Sequence, residues 1–285
     1  MKSLEYKNDN LFFDGIAIEE IAKNIKTPFY IYSEDSIKQN IKGYMSQASQ
    51  KTLFCYSVKA NSNLSLLKLI ASQGMGFDVV SKGELHRAIK AGANTKKIVY
   101  SGVGKTKEEI AYALNNKILC FNVESEEELV AINAQASLMK LKADISIRIN
   151  PDVKVKTHPY IATGMRENKF GIAFEDAFEI YKKAKTLDSI NIVGIDFHIG
   201  SQIMSIEPYL DSISSVKKLI QKLDSIDIKL SHIDVGGGLG ISYKGEKLVD
   251  KSEYVKTIIN SLSDLDLDII FEPGRSIVGD CGILV

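Results

Sequence analysis

Residues 54–63 read FCYSVKANSN, a run of apolar and small residues that ends in a lysine. From Leu53 to Val58 no turn-forming residue interrupts it, which predicts a strand covered on both faces, the kind that belongs to a parallel sheet. An unpaired ammonium is costly in such a place. Lys59 stands at the strand's mouth, just ahead of the helix-opening Asn61-Ser62-Asn63. It is therefore either a lysine snorkelling to water or an amine held in a partly dry place for chemistry.

On both sides of this stretch, short apolar runs alternate with amphipathic ones. Candidate strands start at Leu53, Gly76, Lys97, Ile118, Asp144, Asn191, Leu230 and Asp268, eight in all. The clearest helix between them sets Ile206, Leu210, Ile213, Val216, Leu219, Ile220 and Leu223 on one face with lysines opposite. Another starts at Ser125, a predicted N-cap with Glu126, Glu127 and Glu128 in the first turn. Eight strand-then-helix units predict an α/β fold, a (β/α)8 TIM-type barrel of parallel strands. A doubly wound open sheet is the alternative, because a strand count does not prove closure. Lys59, Asp78, Asn122, Arg148, His198, Gly236 to Gly238 and Glu272 fall at or just past the C-terminal ends of these strands. In a barrel that end is the catalytic face.

Composition narrows the class. The chain has 285 residues, 45% hydrophobic and 25% charged, ordinary for a globular protein with a sizeable core. Lys+Arg 36 against Asp+Glu 36 leaves no net charge, so no electrostatic footprint for nucleic acid or an anionic membrane. A small-molecule partner is the default. MKSLEYKNDN lacks the apolar core of a signal peptide and no window is long enough to span a bilayer, which predicts a cytoplasmic protein. Cys55, Cys120 and Cys281 are an odd, scattered set in apolar segments and read as reduced core thiols, with no metal site among them.

Two glycine-rich stretches invite nucleotide readings and fail them. SGVGKT from Ser101 lacks the earlier glycine of a phosphate-binding loop, since Val99 stands there. GGGLG from Gly236 has Ile241 where a dinucleotide fingerprint needs its last glycine. Of His86, His158, His198 and His232, only His198 stands in a suggestive context. The glycine run after the seventh strand and EPGR (272–275) after the eighth occupy the loops where barrels often hold phosphate. A tight loop explains the glycines alone about as well. Phosphate there, a lysine at the first strand and a carboxylate at the eighth match the three anchors of pyridoxal 5'-phosphate. Lys59 would then sit where its amine can lose a proton and form a Schiff base.

YSVKAN, GFDVVSKGEL, YSGVGKT, HPYIATGMRENKFGI, DFHIGSQI, DVGGGLG and FEPGRSIVG follow one another in this order. In order and spacing they resemble the alanine-racemase-like, fold-type III family of pyridoxal-phosphate decarboxylases, from about Pro28 to the last residue. HPYIATGMRENKFGI resembles the branch that acts on diaminopimelate more than the ornithine or arginine branches. The resemblance implies that Lys59 bonds the cofactor aldehyde, Glu272 faces the pyridine nitrogen and His198 stacks on the ring. It implies phosphate contacts from Ser201, Gly237, Gly238, Gly274 and Arg275, with Arg275 also meeting the substrate. Asp78, Glu84 and Arg148 match positions near the lysine and ring, either as catalytic groups or as a structural ion-pair network. The implied reaction takes meso-2,6-diaminopimelate to L-lysine. Another basic-amino-acid decarboxylase, a racemase on the same barrel and a non-catalytic cofactor-binding relative are the alternatives.

Members of this family continue past the EPGRSIVG motif into a β-rich second domain and act as homodimers. The resemblance therefore predicts a barrel over residues 28–279, a segment 1–27 that packs on the second domain, and residues 280–285 as that domain's start. The rest of that domain is absent from this chain, which is expected to bind cofactor weakly and turn over little alone.

Overall fold

The computed structural model describes residues 4–151 and 170–285. Most of HPYIATGMRENKFGI, His158 included, lies outside the described residues. The central strands are β1 (Thr52–Ser57), β2 (Gly76–Val79), β3 (Ile98–Tyr100), β4 (Cys120–Val123), β5 (Ala143–Asn150), β6 (Ile190–Phe197), β7 (His232–Asp234) and β8 (Asp268–Phe271). Each pairs in parallel with the next, and β8 pairs with β1, Ile270 opposite Leu53. Every one of the eight has two neighbours, so the sheet closes into a barrel. An open doubly wound sheet would leave two edges, and that alternative falls.

Parallel strands need crossovers, and several of the crossover helices start at a capping residue that follows a strand end. Asn63, Ser81, Thr106 and Ser125 cap four successive helices, Leu64–Ser72, Lys82–Lys90, Lys107–Asn115 and Glu126–Leu138. Ser125 accepts from Glu128 N at 3.2 Å, as its position predicts. Thr106 and Glu109 form a complete capping box. On the helix Glu207–Asp224 the expected face is buried at Ile213, Val216, Leu219 and Leu223, while Leu210 and Ile220 are half-buried. Each fully buried aliphatic side chain there contributes about 1.5–3 kcal/mol.

Strand starts are the least accurate part of the sequence reading. Lys97 closes a 3-10 turn, Thr95–Lys97, and the strand begins at Ile98. Leu230 likewise precedes its strand, which runs only over His232–Asp234. Outside the barrel, Leu4–Lys7, Asn10–Phe13 and Ile16–Ala17 form a small antiparallel sheet. Tyr30–Tyr32 pairs antiparallel with Gly282–Leu284. The helix Glu34–Met45 packs on Lys251–Ser261 and on the single-turn helix Arg275–Val278, filling the outer ring where that short helix leaves room.

Two apolar layers result. The large one lies between strands and helices and includes Tyr56, Phe77, Phe121, Ile147, Ile195 and Phe271. A small one, Cys55, Val99, Cys120 and Ile270, fills the barrel interior. The cysteines at 55, 120 and 281 are free and buried, and burial pushes each thiol up.

Candidate active site

Side chains alternate along a strand, so the residue two places beyond an inward-facing one also faces inward, one layer nearer the strand's C-terminal end. Cys55 is thus followed by Ser57, Val99 by Ser101, Cys120 by Asn122 and Ile270 by Glu272. The pairing register carries the same layer round the ring: Ser57 stands opposite Asp78, Asp196 opposite both Arg148 and Asp234. An apolar interior layer is capped by a polar one at the mouth of the barrel.

Lys59 sits above this layer in the 3-10 turn Val58–Ala60, and its amine donates to Asp78 Oδ2 at 2.8 Å. Its side chain is 48% exposed, so the nitrogen is reachable, whereas Asp78 is fully buried. Asp78 Oδ2 also accepts from Ser57 Oγ at 2.9 Å. Burial works to lower the Lys59 pKa, but the Asp78 carboxylate outweighs it and holds the amine above its usual value. This corrects the expectation of a lysine poised to lose its proton. In this arrangement the amine stays charged until something displaces it from Asp78.

Glu272 is almost fully buried, and Oε1 accepts long hydrogen bonds from Asn122 Nδ2 at 3.4 Å and Ser101 Oγ at 3.5 Å. Carboxylate oxygens of Asp196, Asp234 and Glu272 lie within 4.8 Å of one another. Burial, then Asp234, Asp78 and Asp196, pushes the Glu272 carboxyl well above the usual range. Burial also carries Asp234 up to about 7. Carboxyls crowded in a dry place cannot all ionise.

His198 follows β6 and is half-buried, with Nδ1 accepting from Gly237 N at 3.3 Å. Burial, with Arg148 and Lys59 nearby, lowers its pKa to about 3, which agrees with a neutral ring accepting at Nδ1. The glycine run after β7 is packed against backbone. A Cβ on Gly237 would lie 2.0 Å from Glu272 O, and one on Gly238, at φ +101°, would lie 2.2 Å from Gly200 O. Ser201 is half-buried in the facing loop. Gly274 adjoins Ser57 and Ala60, and Arg275 donates from NH1 to Tyr243 OH at 2.8 Å with its guanidinium 5.9 Å from that ring.

Glu84 and Arg148 have contacts of their own. Glu84 Oε2 takes Val80 N at 2.8 Å at the start of its helix. Arg148 donates to Glu124 Oε1 at 3.0 Å and lies 3.8 Å from Asp196. Both contacts favour the ion-pair and capping alternative. Ser57, Ser101, Asp196, Asp234 and Tyr243 escaped the sequence reading. The signal for four of them was the period of two, counted from Lys59, Val99, His198 and Gly236; Tyr243 left none.

Residues 34–279 match the family described as pyridoxal-dependent decarboxylase, pyridoxal binding domain. The diaminopimelate decarboxylase of Pseudomonas aeruginosa is 43% identical over 286 aligned residues, covering 100% of this chain and 69% of that protein. That of Aquifex aeolicus is 46% identical, over 99% of this chain and 67% of its own length. This chain belongs to the diaminopimelate decarboxylase family. The crystal structure of the Helicobacter pylori diaminopimelate decarboxylase complexed with L-lysine superposes with a TM-score of 0.89 at 47% identity, over 93% of this chain and 68% of that one. A lysine decarboxylase from Selenomonas ruminantium shares the fold at a TM-score of 0.82 and 25% identity, covering 93% of this chain and 67% of its own.

The cofactor of the diaminopimelate decarboxylase family is pyridoxal phosphate, and the donor set at this mouth fits it. A reachable amine, a dry carboxyl that keeps its proton and a backbone loop too tight for any side chain lie around one opening. They differ in chemistry as an aldehyde, a ring nitrogen and a phosphate differ.

Proposed function

We propose that this chain carries the cofactor site of an enzyme that decarboxylates meso-2,6-diaminopimelate to L-lysine. The observation that carries the reading is the meeting of the Lys59 amine, the Glu272 carboxyl and the Gly236–Gly238 loop at one end of the barrel. When bound, pyridoxal phosphate supplies an electron-accepting ring for the electron pair left as carbon dioxide departs.

Lys59 would hold the aldehyde end covalently, and Asp78 Oδ2, 2.8 Å away, would orient the amine and hold its charge until the cofactor takes the nitrogen from that contact. Glu272, its carboxyl raised by burial, would face the pyridine nitrogen and share a proton with it, which would help the ring accept charge. His198, kept neutral, would lie flat against the ring without adding charge to it. Gly237, Gly238, Gly274 and Ser201 would receive the phosphate, and Arg275 would serve the phosphate and a substrate carboxylate in turn. Asp78 would also bind the cofactor through Lys59, and Glu84 and Arg148 would keep the frame.

The substrate assignment is supported by the family and by the lysine held in the Helicobacter pylori enzyme. A cytoplasmic homodimer is part of the same reading. Among the described residues no helix is long and apolar enough to cross a membrane. The division into 1–27, a barrel over 28–279 and 280–285 belongs to the same reading: the small sheet of Leu4–Lys7, Asn10–Phe13 and Ile16–Ala17 pairs with no barrel strand, which supports the first boundary, whereas the ladder of Tyr30–Tyr32 with Gly282–Leu284 crosses the second.

Borohydride reduction of the pyridoxal-phosphate-loaded protein, followed by peptide mapping, tests the site. Label is expected on the Lys59 peptide, lost in Lys59→Ala and kept in Lys82→Ala. Label on any other lysine sinks the assignment. Supplying diaminopimelate, lysine, ornithine and arginine separately and identifying the amine product tests the substrate.

A further inference from the structure

SGVGKT, rejected as a phosphate-binding loop, has another use for its lysine. Lys105 follows β3, yet its side chain is 0% exposed. The ammonium donates to Gly102 O at 2.7 Å, Asn122 O at 2.9 Å and Glu128 Oε1 at 2.6 Å, and lies 5.7 Å from the Tyr100 ring centroid. An ammonium has three donors, and all three are used. Such a group is saturated. It can serve as neither ligand nor nucleophile, but it ties the β3 loop to the end of β4 and to the helix Glu126–Leu138.

The tied pieces both reach Glu272. Ser101 Oγ and Asn122 Nδ2 meet Oε1 of that acid at 3.5 Å and 3.4 Å, and Asn122 Nδ2 also donates to Ser101 Oγ at 3.1 Å. A second arm runs through Glu128, whose Oε2 accepts from Glu124 N at 2.9 Å. Glu124 Oε1 in turn accepts from Gly102 N at 2.7 Å and Arg148 at 3.0 Å. A buried ion pair adds little net stability over apolar packing, but it permits one arrangement of the groups around it.

We propose that Lys105 is a positioning residue for the decarboxylation, fixing the ends of β3 and β4 so that Ser101 and Asn122 orient the Glu272 carboxyl toward the pyridine nitrogen. The proposal rests on the assignment of Glu272 given above. Lys105 touches neither cofactor nor substrate.

The test uses Lys105→Met, Glu272→Gln and the double variant, each loaded with pyridoxal phosphate. The readouts are kcat, KM and the pH dependence of the bound cofactor's visible absorption, which reports ring-nitrogen protonation. Lys105→Met is expected to lower kcat at least about tenfold with KM within about twofold, and to move the absorption titration in the direction Glu272→Gln moves it. In the Glu272→Gln background the same change should cost less than about twofold, since residues acting as a unit are not additive. If Glu272→Gln alone changes nothing, the Glu272 assignment and this proposal fall together. If it acts but Lys105→Met leaves the titration unmoved, or the two losses multiply, Lys105 alone is overturned. Should Lys105→Met not fold, Ser101→Ala with Asn122→Ala cuts the tie at its other end. The same shift is then expected, and an unmoved titration overturns the proposal.

Discussion

Asp234 shows how burial sets chemistry at the residue scale. Its carboxyl is fully buried and Oδ1 accepts from Gly236 N at 2.9 Å, yet burial raises its pKa from 3.8 to about 7. A carboxyl with a raised folded pKa holds its proton more tightly in the folded state, so its contribution is complete below the unfolded value and fades as pH rises toward the folded one. The cofactor-free protein should therefore lose stability from this residue as pH rises from about 4 to about 7. Asp234→Asn, which keeps the acceptor for Gly236, should flatten that slope in denaturant unfolding measured across the range. Asp78 has the opposite sign: burial opposes ionisation, but the Lys59 ammonium wins and holds its pKa below 3.8. Its contribution is present above the unfolded value and is lost in acid as pH falls through the folded one. For the reaction, Glu272→Gln keeps the shape of the acid and removes its proton exchange with the ring nitrogen. Turnover should drop on the order of a hundredfold while cofactor affinity changes little, and unchanged turnover would show that the electron sink does not need this carboxyl.

Elements hold these residues in register. The glycine loop after β7 is pinned from below by the helix Glu207–Asp224, where the buried Tyr209 hydroxyl donates to Gly237 O at 2.9 Å. Tyr209→Phe removes that bond and should cost about 1 kcal/mol in unfolding free energy, with a modest loss of pyridoxal-phosphate affinity. Gly237→Ala is the harsher change, because its Cβ would meet the backbone of the β8 end rather than a side chain that can move. Equilibrium dialysis should show cofactor affinity falling at least about tenfold, with stability falling by about 1–3 kcal/mol. Equal affinity in the alanine variant would show that the loop has slack that its packing against Glu272 O does not suggest.

For the whole molecule, closure makes site and core one cooperative unit. Pyridoxal phosphate at 100 times its dissociation constant should stabilise the folded barrel by about 2.7 kcal/mol. Ile132→Ala, in the helix Glu126–Leu138 and 0% exposed, should lower stability by about 3 kcal/mol and leave that increment intact. Much of this architecture was legible beforehand. The apolar runs, the caps at Ser125 and Asn63 and the polar residues ending each run are local features, and local propensity writes them into the chain. Lys59, His198 and Glu272 could be placed at strand ends for the same reason. Closure could not be read, because the pairing of β8 with β1 joins residues over two hundred positions apart and no local pattern distinguishes it from an open edge. Nor could the company each residue keeps. A sequence shows a lysine and an aspartate, but only the pairing of β1 with β2 brings Asp78 beneath the Lys59 amine and keeps it charged. Asp196 and Asp234 lie on two strands and Glu272 just past a third, and the barrel's interior brings them within reach of one another. Their protonation is a property of that crowding. The sequence by itself determined which residue types stand at the strand ends; the tertiary structure decided which of them meet, because the free energy of a buried charge depends on its neighbours in space.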